Sequence, residues 1–349
     1  MKKSFMFLST FLWVIFLSTI ANAQCTGNFP AGFFCGTING GLPGPAAFSG
    51  AVAPIGGLTL LASPSGTGNC ITSACKLPTA CSFVTQVATY LGTPFIQLAD
   101  GTYTADDLGG SSGGHQCHLT GNGGGSSNIL VQVVGNPVTP SNVVIAIQST
   151  NQTGFYVEDT AELAVSELKF TNVNGGGSAL TARQNAIVDY HDIQWGTWGN
   201  SGNHVAAFGN AVIVNPGNET LLANTTFIGH WVATQGAFII PGGTTTIQSS
   251  VTWTQFASAT NSNFDTSSWT LSGTGTGQQF TGLGIGYLNS GATPCASVFP
   301  GTGGCTLQGG FQTSAGDNST SVVPVGGVSC PSGVTAGTVT VVKGVVTHC

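Results

Sequence analysis

The fold is decided by four short stretches: Ala161-Glu-Leu-Ala-Val165, Ala186-Ile-Val-Asp-Tyr190, Ala211-Val-Ile-Val214 and Ala237-Phe-Ile-Ile240. Their first alanines recur at intervals of 25, 25 and 26 residues, and Gly, Asn and Thr separate the stretches. Each stretch is rich in β-branched or aromatic residues, which favour β-strands. A fixed period of this length is typical of a solenoid. The repeat therefore predicts stacked coils of β-strand, about eight of them if residues 80–290 follow the period.

Stacking places each residue beside the residue about 25 positions later, at roughly 4.8 Å across the sheet. This register predicts core rows, among them Phe170 stacked on Trp195. It also places Glu158 beside Arg183, which is the single arginine of the chain. We expect these two side chains to form a structural ion pair, since ion-pair networks perturb titration without any catalytic role.

The alternation of a strand also predicts an outward strip. With the alanines inward, the strip comprises Glu162, Ile187, Val212 and Phe238, followed by Ala164, Asp189, Val214 and Ile240. It turns from polar to apolar along the stack, and an exposed apolar strip marks a covered or partnered face. We expect either the C-terminal segment to cover it or the chain to self-associate through it.

The N-terminal end has the pattern of an export signal. Lys2 and Lys3 precede an apolar run, and Ala21-Asn-Ala23 supplies small residues before a cleavage site. The sequence therefore predicts a signal peptide at residues 1–23 and a secreted, periplasmic or cell-surface protein. No later stretch is long and apolar enough for a membrane span.

The ten cysteines lie toward the two ends, with none between Cys117 and Cys295. In an exported chain an even number of cysteines favours disulfides over metal thiolates, although the sequence leaves their connectivity open. Three parts are expected after the signal. They are a Cys/Gly/Pro-rich flank at 24–79, a parallel β-helix with a capping helix at 80–290, and a Cys-containing C-terminal cap at 291–349.

Charged residues make up only 5% of the chain, against about 25% in ordinary globular proteins. Without Lys2 and Lys3, four basic residues remain against twelve acidic ones. Such a chain lacks the basic surface that drives binding to nucleic acid. Its polar surface is instead made of Asn, Gln, Ser and Thr, which suit hydroxyl-rich ligands such as polysaccharides. The scarcity of charge favours binding or a scaffold role over catalysis.

The region after Cys75 and Cys81 combines a helix with a first strand. Apolar residues from Ala80 to Leu91 have helical spacing, and Ile96-Gln-Leu-Ala-Asp-Gly-Thr-Tyr-Thr104 follows them. This order resembles the start of bacterial proteins of the pectin lyase-like superfamily. The resemblance implies an all-β, right-handed parallel β-helix that begins with a capping helix. It also implies, as the alternative function, a polysaccharide lyase or glycoside hydrolase.

Catalytic patterns of that superfamily are present only in fragments. Polygalacturonases combine Asn-Thr-Asp, Asp-Asp, Gly-His-Gly and Arg-x-Lys, of which only Asp106-Asp107 and the incomplete Gly114-His115-Gln116 occur here. A lyase needs a base beside an acid-bound Ca²⁺. The local grouping of that kind is Arg183 with Asp189 and Asp192. His191, on the alternating run before Asp192, is a fourth candidate catalytic residue, for acid/base chemistry. No cofactor is required, but Glu167 and Asp192 stack as two acids that could bind Ca²⁺.

Tryptophans offer a second route to a sugar ligand, because sugar rings stack on exposed indole faces. Trp198 lies in a Gly-rich loop, and we expect it to be exposed, whereas Trp195 and Trp253 are expected in the core. The candidate ligand-binding residues are Trp198, Asn200, Asn203 and His204. The sequence thus predicts a secreted β-helix protein that engages polysaccharide.

Overall fold

Short β-strands follow one another along the chain because apolar and polar side chains alternate within them. The computed structural model describes residues 58–86, 93–110, 113–121, 130–172, 176–198, 202–284, 287–290 and 295–308. It also describes the backbone of four short strands after residue 310. The strands stack into three parallel sheets, so the described chain is a parallel β-solenoid.

The strands of each sheet come from successive coils, where a coil is one circuit of the chain around the solenoid. Sheet A contains β1 (Thr59–Ala62), β2 (Phe95–Leu98), β5 (Leu130–Val134), β8 (Glu162–Ser166), β11 (Ile187–His191), β14 (Val212–Asn215), β17 (Phe238–Pro241), β20 (Asn263–Asp265), β23 (Tyr287–Asn289) and β25 (Phe311–Thr313). Sheet B contains β4 (His115–Thr120), β7 (Thr153–Glu158), β10 (Leu180–Arg183), β13 (Asn203–Phe208), β16 (Thr226–Thr234), β19 (Thr252–Thr260), β22 (Thr276–Leu283) and β24 (Cys305–Gln308). Sheet C contains β3 (Gly101–Tyr103), β6 (Val143–Ile147), β9 (Lys169–Asn172), β12 (Ile193–Trp198), β15 (Glu219–Leu221), β18 (Thr244–Ile247) and β21 (Thr270–Ser272).

The predicted register holds through the repeat. Ile187 pairs with Glu162 on one side and Val212 on the other, and Trp195 pairs with Phe170. The rings of Phe170 and Trp195 stack with centroids 5.3 Å apart and planes at 15°. The prediction of a parallel β-helix is therefore confirmed, as is this core row.

The number of coils differs from the prediction. About six coils are present, and those from β4 to β21 contribute a strand to every sheet. Eight is too many for two reasons. The coils that contain β2 with β3, and β22 with β23, lack a strand in one sheet. One coil is also long, since Cys117 of β4 pairs with Phe155 of β7, 38 positions later. The solenoid also begins earlier than expected, since β1 lies in the predicted flank and pairs with β2, burying Leu60.

Corners between sheets B and A repeat from coil to coil. Asn185, Asn210, Gln235 and Asn261 all have a positive φ, between 50° and 66°. Asparagine, which occupies three of these four corners, tolerates this left-handed conformation better than most residues do. The corners hydrogen bond along the stack, for example from the Asn210 amide to the Gln235 carbonyl at 3.2 Å. A recurring corner residue therefore keeps the coils in register.

The predicted helix is present as α1, Leu77–Gln86. It begins before Ala80 because Pro78 fits the first turn of a helix, and residues 87–92 lie outside the described part. Cys81 of α1 forms a disulfide with Cys117 of β4, and a second disulfide joins Cys70 to Cys75. The helix is thus tied to the first strand of sheet B near one end of the solenoid.

The other end carries helix α2, Cys295–Val298, and a disulfide between Cys295 and Cys305. Strands β26 (Ser321–Val323), β27 (Val339–Val342) and β28 (Val345–His348) form a separate antiparallel sheet. The predicted signal peptide lies outside the described residues, as do Cys25, Cys35, Cys330 and Cys349. Within the described residues, no helix has the length and apolar character needed to cross a membrane.

The outward strip of sheet A has the predicted orientation. Ile187 is 37% exposed, and Val212, Phe238, Val214 and Ile240 are partly exposed, while the residues between them are buried. The sheet therefore presents an apolar outer side over β14 and β17.

Candidate functional site

Titratable side chains gather on sheet B near the N-terminal end of the solenoid. His118 of β4 pairs with Tyr156 of β7, and both are partly exposed. Their strand neighbours Cys117 and Phe155 are fully buried in the core. We call this group the sheet B cluster, and its members are Asp107, His115, His118, Tyr156, Glu158 and Arg183.

A turn before β4 holds Asp107 in the cluster. The carboxylate of Asp106 organises this turn by accepting the backbone N–H groups of Leu108 at 3.1 Å and Gly110 at 2.6 Å. The Asp107 amide donates to the carbonyl of His115 at 2.9 Å, and the His115 amide donates to Asp107 Oδ1 at 2.7 Å. The backbone itself therefore fixes Asp107 against the first residue of β4.

The second carboxylate oxygen of Asp107 faces two imidazoles. Asp107 Oδ2 is 3.0 Å from His115 Nδ1 and 3.6 Å from His118 Nδ1. Partial burial raises the pKa of Asp107, but the hydrogen bonds from His115 and the charges of both histidines outweigh it and leave the pKa below its ordinary value. Asp107 is therefore an ionised carboxylate at neutral pH.

Glu158 fixes the orientation of His118. Its Oε1 lies 2.9 Å from His118 Nε2, on the side of the ring away from Asp107. The Tyr156 ring contacts both imidazoles, with centroids 4.5 Å from His115 and 5.2 Å from His118. The two histidine rings are thus held by carboxylates and by an aromatic side chain.

Arg183 extends the cluster along sheet B. Its Nη1 donates to the Tyr156 hydroxyl at 2.8 Å, and its guanidinium lies 5.8 Å from the centroid of Phe208. The predicted ion pair with Glu158 is wrong, because within the described residues Glu158 pairs with His118 instead. The strand register is as predicted, since β10, which ends at Arg183, pairs with one side of β7. His118 lies on β4, which pairs with the other side of β7, and its imidazole is the partner of Glu158.

The predicted catalytic residues are divided between two sheets. Arg183 ends β10 in sheet B, whereas Asp189 and His191 lie in β11 of sheet A. Asp192 follows at the corner, and its Oδ2 is 2.9 Å from His191 Nδ1. Burial raises the pKa of Asp189, and the charge of His191 opposes this rise. In the described part of the chain, no hydrogen bond or ion pair joins Arg183 to either acid, so the structure assembles only the acids and the histidine.

The proposed calcium residues occupy equivalent corners of adjacent coils. Glu167 and Asp192 both have left-handed backbones, with φ of 61° and 54°. The Glu167 amide donates to the carbonyl of His191 at 3.4 Å, while the Asp192 carboxylate is engaged by His191. The stacking of the two acids is therefore as expected, and Ca²⁺ binding there stays a prediction.

The predicted sugar-binding residues are mostly inside the protein. Trp198 is only 2% exposed, and His204 is fully buried with its ring 4.7 Å from that of Trp198. The expected exposure of Trp198 is wrong because a register irregularity between Trp195 and Trp198 turns the indole inward. Asn203 begins β13 and is partly buried, and Asn200 lies outside the described residues.

The interior holds a second group of His and carboxylate side chains, which the sequence did not reveal. Glu219 and His230 are buried, and Glu219 Oε1 is 3.1 Å from His230 Nε2. His204 Nδ1 lies 2.8 Å from His230 Nδ1. Trp195 Nε1 donates to Glu219 Oε2 at 2.8 Å, and the Thr245 hydroxyl donates to Oε1 at 2.6 Å. We call Glu219, His230, His204, Trp195 and Thr245 the core network.

The core network keeps its carboxylate charged. Burial raises the pKa of Glu219, but the charge of His230 and the hydrogen bonds from His230, Thr245 and Trp195 outweigh it and leave the pKa below the ordinary value. Burial also holds the pKa of His204 well below its ordinary value, and the charge of His230 adds to this effect. An ionised Glu219 therefore contacts His230, which in turn contacts a neutral His204, and all three are buried.

The two groups differ in what they can do chemically. The core network is buried, so ligands do not reach it, and it contributes to the stability of the fold. The sheet B cluster is open to solvent and contains carboxylate–imidazole pairs, a tyrosine and an arginine, which are suited to ligand binding, metal binding or proton transfer. Asp107 and His115 belong to the two separate motif fragments noted in the sequence, Asp106-Asp107 and Gly114-His115-Gln116. The turn before β4 brings them into contact.

Comparison of the chain with protein-family models, with curated proteins and with solved structures finds no match.

Proposed function

We propose that this protein is an exported β-helix protein that binds extracellular or cell-surface polysaccharide through the sheet B cluster, as a binding or scaffold protein. The observation that carries the proposal is the placement of Arg183. Its guanidinium is held by the Tyr156 hydroxyl at 2.8 Å and lies beside the Phe208 ring at 5.8 Å. A guanidinium held in place between partly exposed aromatic rings can bind carboxylate or hydroxyl groups while the rings contact a sugar face.

Export is supported by the cysteines. Three disulfides join described residues, and such bridges persist in oxidising compartments. The export signal itself rests on the sequence pattern at residues 1–23. Secretion, and membership of the pectin lyase-like superfamily, are part of this proposal.

Affinity electrophoresis in gels containing an acidic or a neutral polysaccharide tests the binding site. We expect retardation by the acidic polysaccharide, and a loss of affinity of about tenfold or more in Arg183→Gln, as expected for a charge-assisted contact. The matched control is Lys169→Gln, which removes one positive charge from sheet C. Equal losses in both variants would indicate nonspecific charge effects and contradict the proposed site.

The alternative is a polysaccharide lyase or hydrolase, and one observation favours it. Asp107–His115 and Glu158–His118 are carboxylate–imidazole pairs beside Tyr156, an arrangement that can accept and donate protons. New reducing or unsaturated ends in a polysaccharide panel would reveal activity. Product lost in His118→Ala would assign it to the cluster, and product lost in Asp192→Asn to the residues chosen from the sequence. Binding without product would rule out the enzyme.

Self-association through the apolar strip of sheet A is a separate part of the proposal. Phe238 lies on that strip and is partly exposed. Sedimentation velocity over a range of concentrations should show a dimer that dissociates in Phe238→Ser. A monomer at every concentration would contradict self-association.

A further inference from the structure

We propose that Asp107, His115 and His118 bind a divalent transition-metal ion such as Zn²⁺. One carboxylate oxygen and one nitrogen from each imidazole all lie within 4.8 Å of one another. Asp107 Oδ2 is 3.0 Å from His115 Nδ1 and 3.6 Å from His118 Nδ1. His115 Nδ1 donates to Asp107 in the metal-free protein, so this nitrogen releases its proton when the metal binds. Ligand atoms of a tetrahedral Zn²⁺ at ~2.0–2.1 Å are separated by roughly 3.3 Å, so small side-chain adjustments give this geometry.

The hydrogen bond from His118 to Glu158 supports the proposal independently. A carboxylate only accepts hydrogen bonds, so His118 Nε2 carries the proton at the 2.9 Å contact with Glu158 Oε1. In the neutral ring, Nδ1 then has a free lone pair that faces the Asp107 carboxylate. A cation between these two atoms relieves their repulsion. Metal-binding histidines commonly donate their other N–H group to a carboxylate in this manner.

The ligand types select the class of metal. Two imidazole nitrogens and one carboxylate oxygen suit Zn²⁺ and neighbouring transition metals, whereas Ca²⁺ and Mg²⁺ prefer oxygen ligands throughout. The site therefore differs in both chemistry and location from the calcium site expected at Glu167 and Asp192.

The supporting structure is rigid on one side and open on the other. Cys117 lies between the two histidines in β4 and is tied to α1 by its disulfide with Cys81. The side chains of Asp107, His115 and His118 are 28%, 20% and 32% exposed. Three protein ligands leave a coordination position that faces solvent, where water or a ligand oxygen binds. The metal proposal does not rest on the proposed polysaccharide binding, because metal binding needs only Asp107, His115 and His118 and no sugar.

Calorimetric titration with Zn²⁺ tests the proposal on the full mature protein after chelator treatment and dialysis. We expect one Zn²⁺ per chain at this site, with affinity lost in Asp107→Asn, His115→Ala and His118→Ala. Glu158→Gln should weaken binding by about 10- to 100-fold, because it removes the partner that orients His118. Zn²⁺ affinity in these variants equal to that of the wild type would overturn the site.

A matched control is available at another His–Asp pair. His191 lies 2.9 Å from Asp192 and is exposed, so His191→Ala removes a comparable imidazole and should leave Zn²⁺ affinity unchanged. Circular dichroism verifies folding, and the isosteric Asp107→Asn decides the result if a histidine variant fails to fold. Co²⁺ should give visible absorption bands in the wild type that Asp107→Asn abolishes. Ca²⁺ binding as tight as Zn²⁺ binding would contradict the choice of metal.

Discussion

The sheet B cluster and the core network use the same kinds of side chain in opposite surroundings. In the sheet B cluster, Asp107 and His118 remain partly exposed. When the His118 ring is neutral and donates from Nε2 to Glu158, its Nδ1 has no proton to donate to the Asp107 carboxylate that it faces. In the core network, Glu219 and His230 are fully buried and the carboxylate accepts three hydrogen bonds. Burial therefore makes one group structural, while exposure leaves the other available to ligands.

The energetic reason is the cost of removing a charge from water. An ionised carboxylate in a protein interior is tolerated only when partners compensate for its lost hydration. Glu219 has such partners, and loss of any of them leaves an uncompensated charge. Asp107 retains solvent contact, which screens its interactions and limits their effect on stability. The comparison therefore predicts a graded series of effects.

The largest effect is expected for Glu219→Gln. The substitution removes the partner of His230 and places an amide where Trp195 donates, so we expect a loss of about 3–5 kcal/mol, as for other broken buried pairs. Urea unfolding measures the change. An unchanged unfolding midpoint would mean that the core network does not stabilise the solenoid.

Thr245→Val should have the next largest effect. The Thr245 hydroxyl donates to Glu219 at 2.6 Å and accepts the indole N–H of Trp269 at 2.8 Å. Valine keeps the shape and removes both hydrogen bonds, with an expected loss of about 1.5–3 kcal/mol because one acceptor is charged. Thr226→Val is the control, since its hydroxyl bonds to that of Thr252 at 2.8 Å on the exposed side of the sheet. A larger loss in the control would contradict the assignment.

Acid should destabilise the protein through the core network. The pKa of His204 is lowered in the folded state, so below about pH 6.5 the unfolded chain binds a proton that the folded chain excludes, and stability falls as pH falls. The unfolding free energy then falls by at most about 1.4 kcal/mol per pH unit for one proton. Glu219 also has a lowered pKa, so its contribution is present above about pH 4.5 and is lost as pH falls through its folded pKa.

Unfolding free energies between pH 7 and pH 5 measure this slope. His204→Gln removes the titrating ring and should flatten the profile over that range, at some cost in stability. His191→Gln, at an exposed histidine, should leave the slope intact. A slope that persists in His204→Gln would assign the proton uptake to another group.

The smallest effect on stability is expected for Glu158→Gln in the sheet B cluster. Glu158 and His118 are 21% and 32% exposed, so their pair should contribute less than about 1 kcal/mol. Thermal unfolding at matched ionic strength measures the difference. A loss as large as that of Glu219→Gln would show that the sheet B cluster is structural as well.

The sequence predicted the architecture because the solenoid repeats its contacts. Ala186 and Ala211 recur where each coil enters sheet A, so the 25-residue step gave the pairing of Ile187 with Glu162 and of Phe170 with Trp195. The sheet B cluster could not be found in this way. His118 pairs with Tyr156 across a step of 38 residues, which the period does not anticipate.

The sequence also failed to predict the direction of some side chains. Trp198 was expected to be exposed because glycines surround it, but a local shift in the pairing of β12 with β9 turns it into the core. His204 follows it inward and joins the core network. Neither a bulge nor a buried hydrogen bond leaves a periodic signal in one sequence.

The disulfide between Cys81 and Cys117 makes the histidine-bearing strand sensitive to reduction. Cys117 points into the core between His115 and His118, so the bridge anchors the strand that carries both imidazoles. Closure of this 36-residue separation stabilises the folded state by about 4 kcal/mol in the chain-entropy view. Without the bridge, β4 is attached to α1 by packing and by the hydrogen bond from the Thr85 hydroxyl to the His118 carbonyl at 3.4 Å. Reduction of the bridge should therefore loosen the strand that carries both imidazoles, so a reducing environment should weaken the site before it unfolds the solenoid.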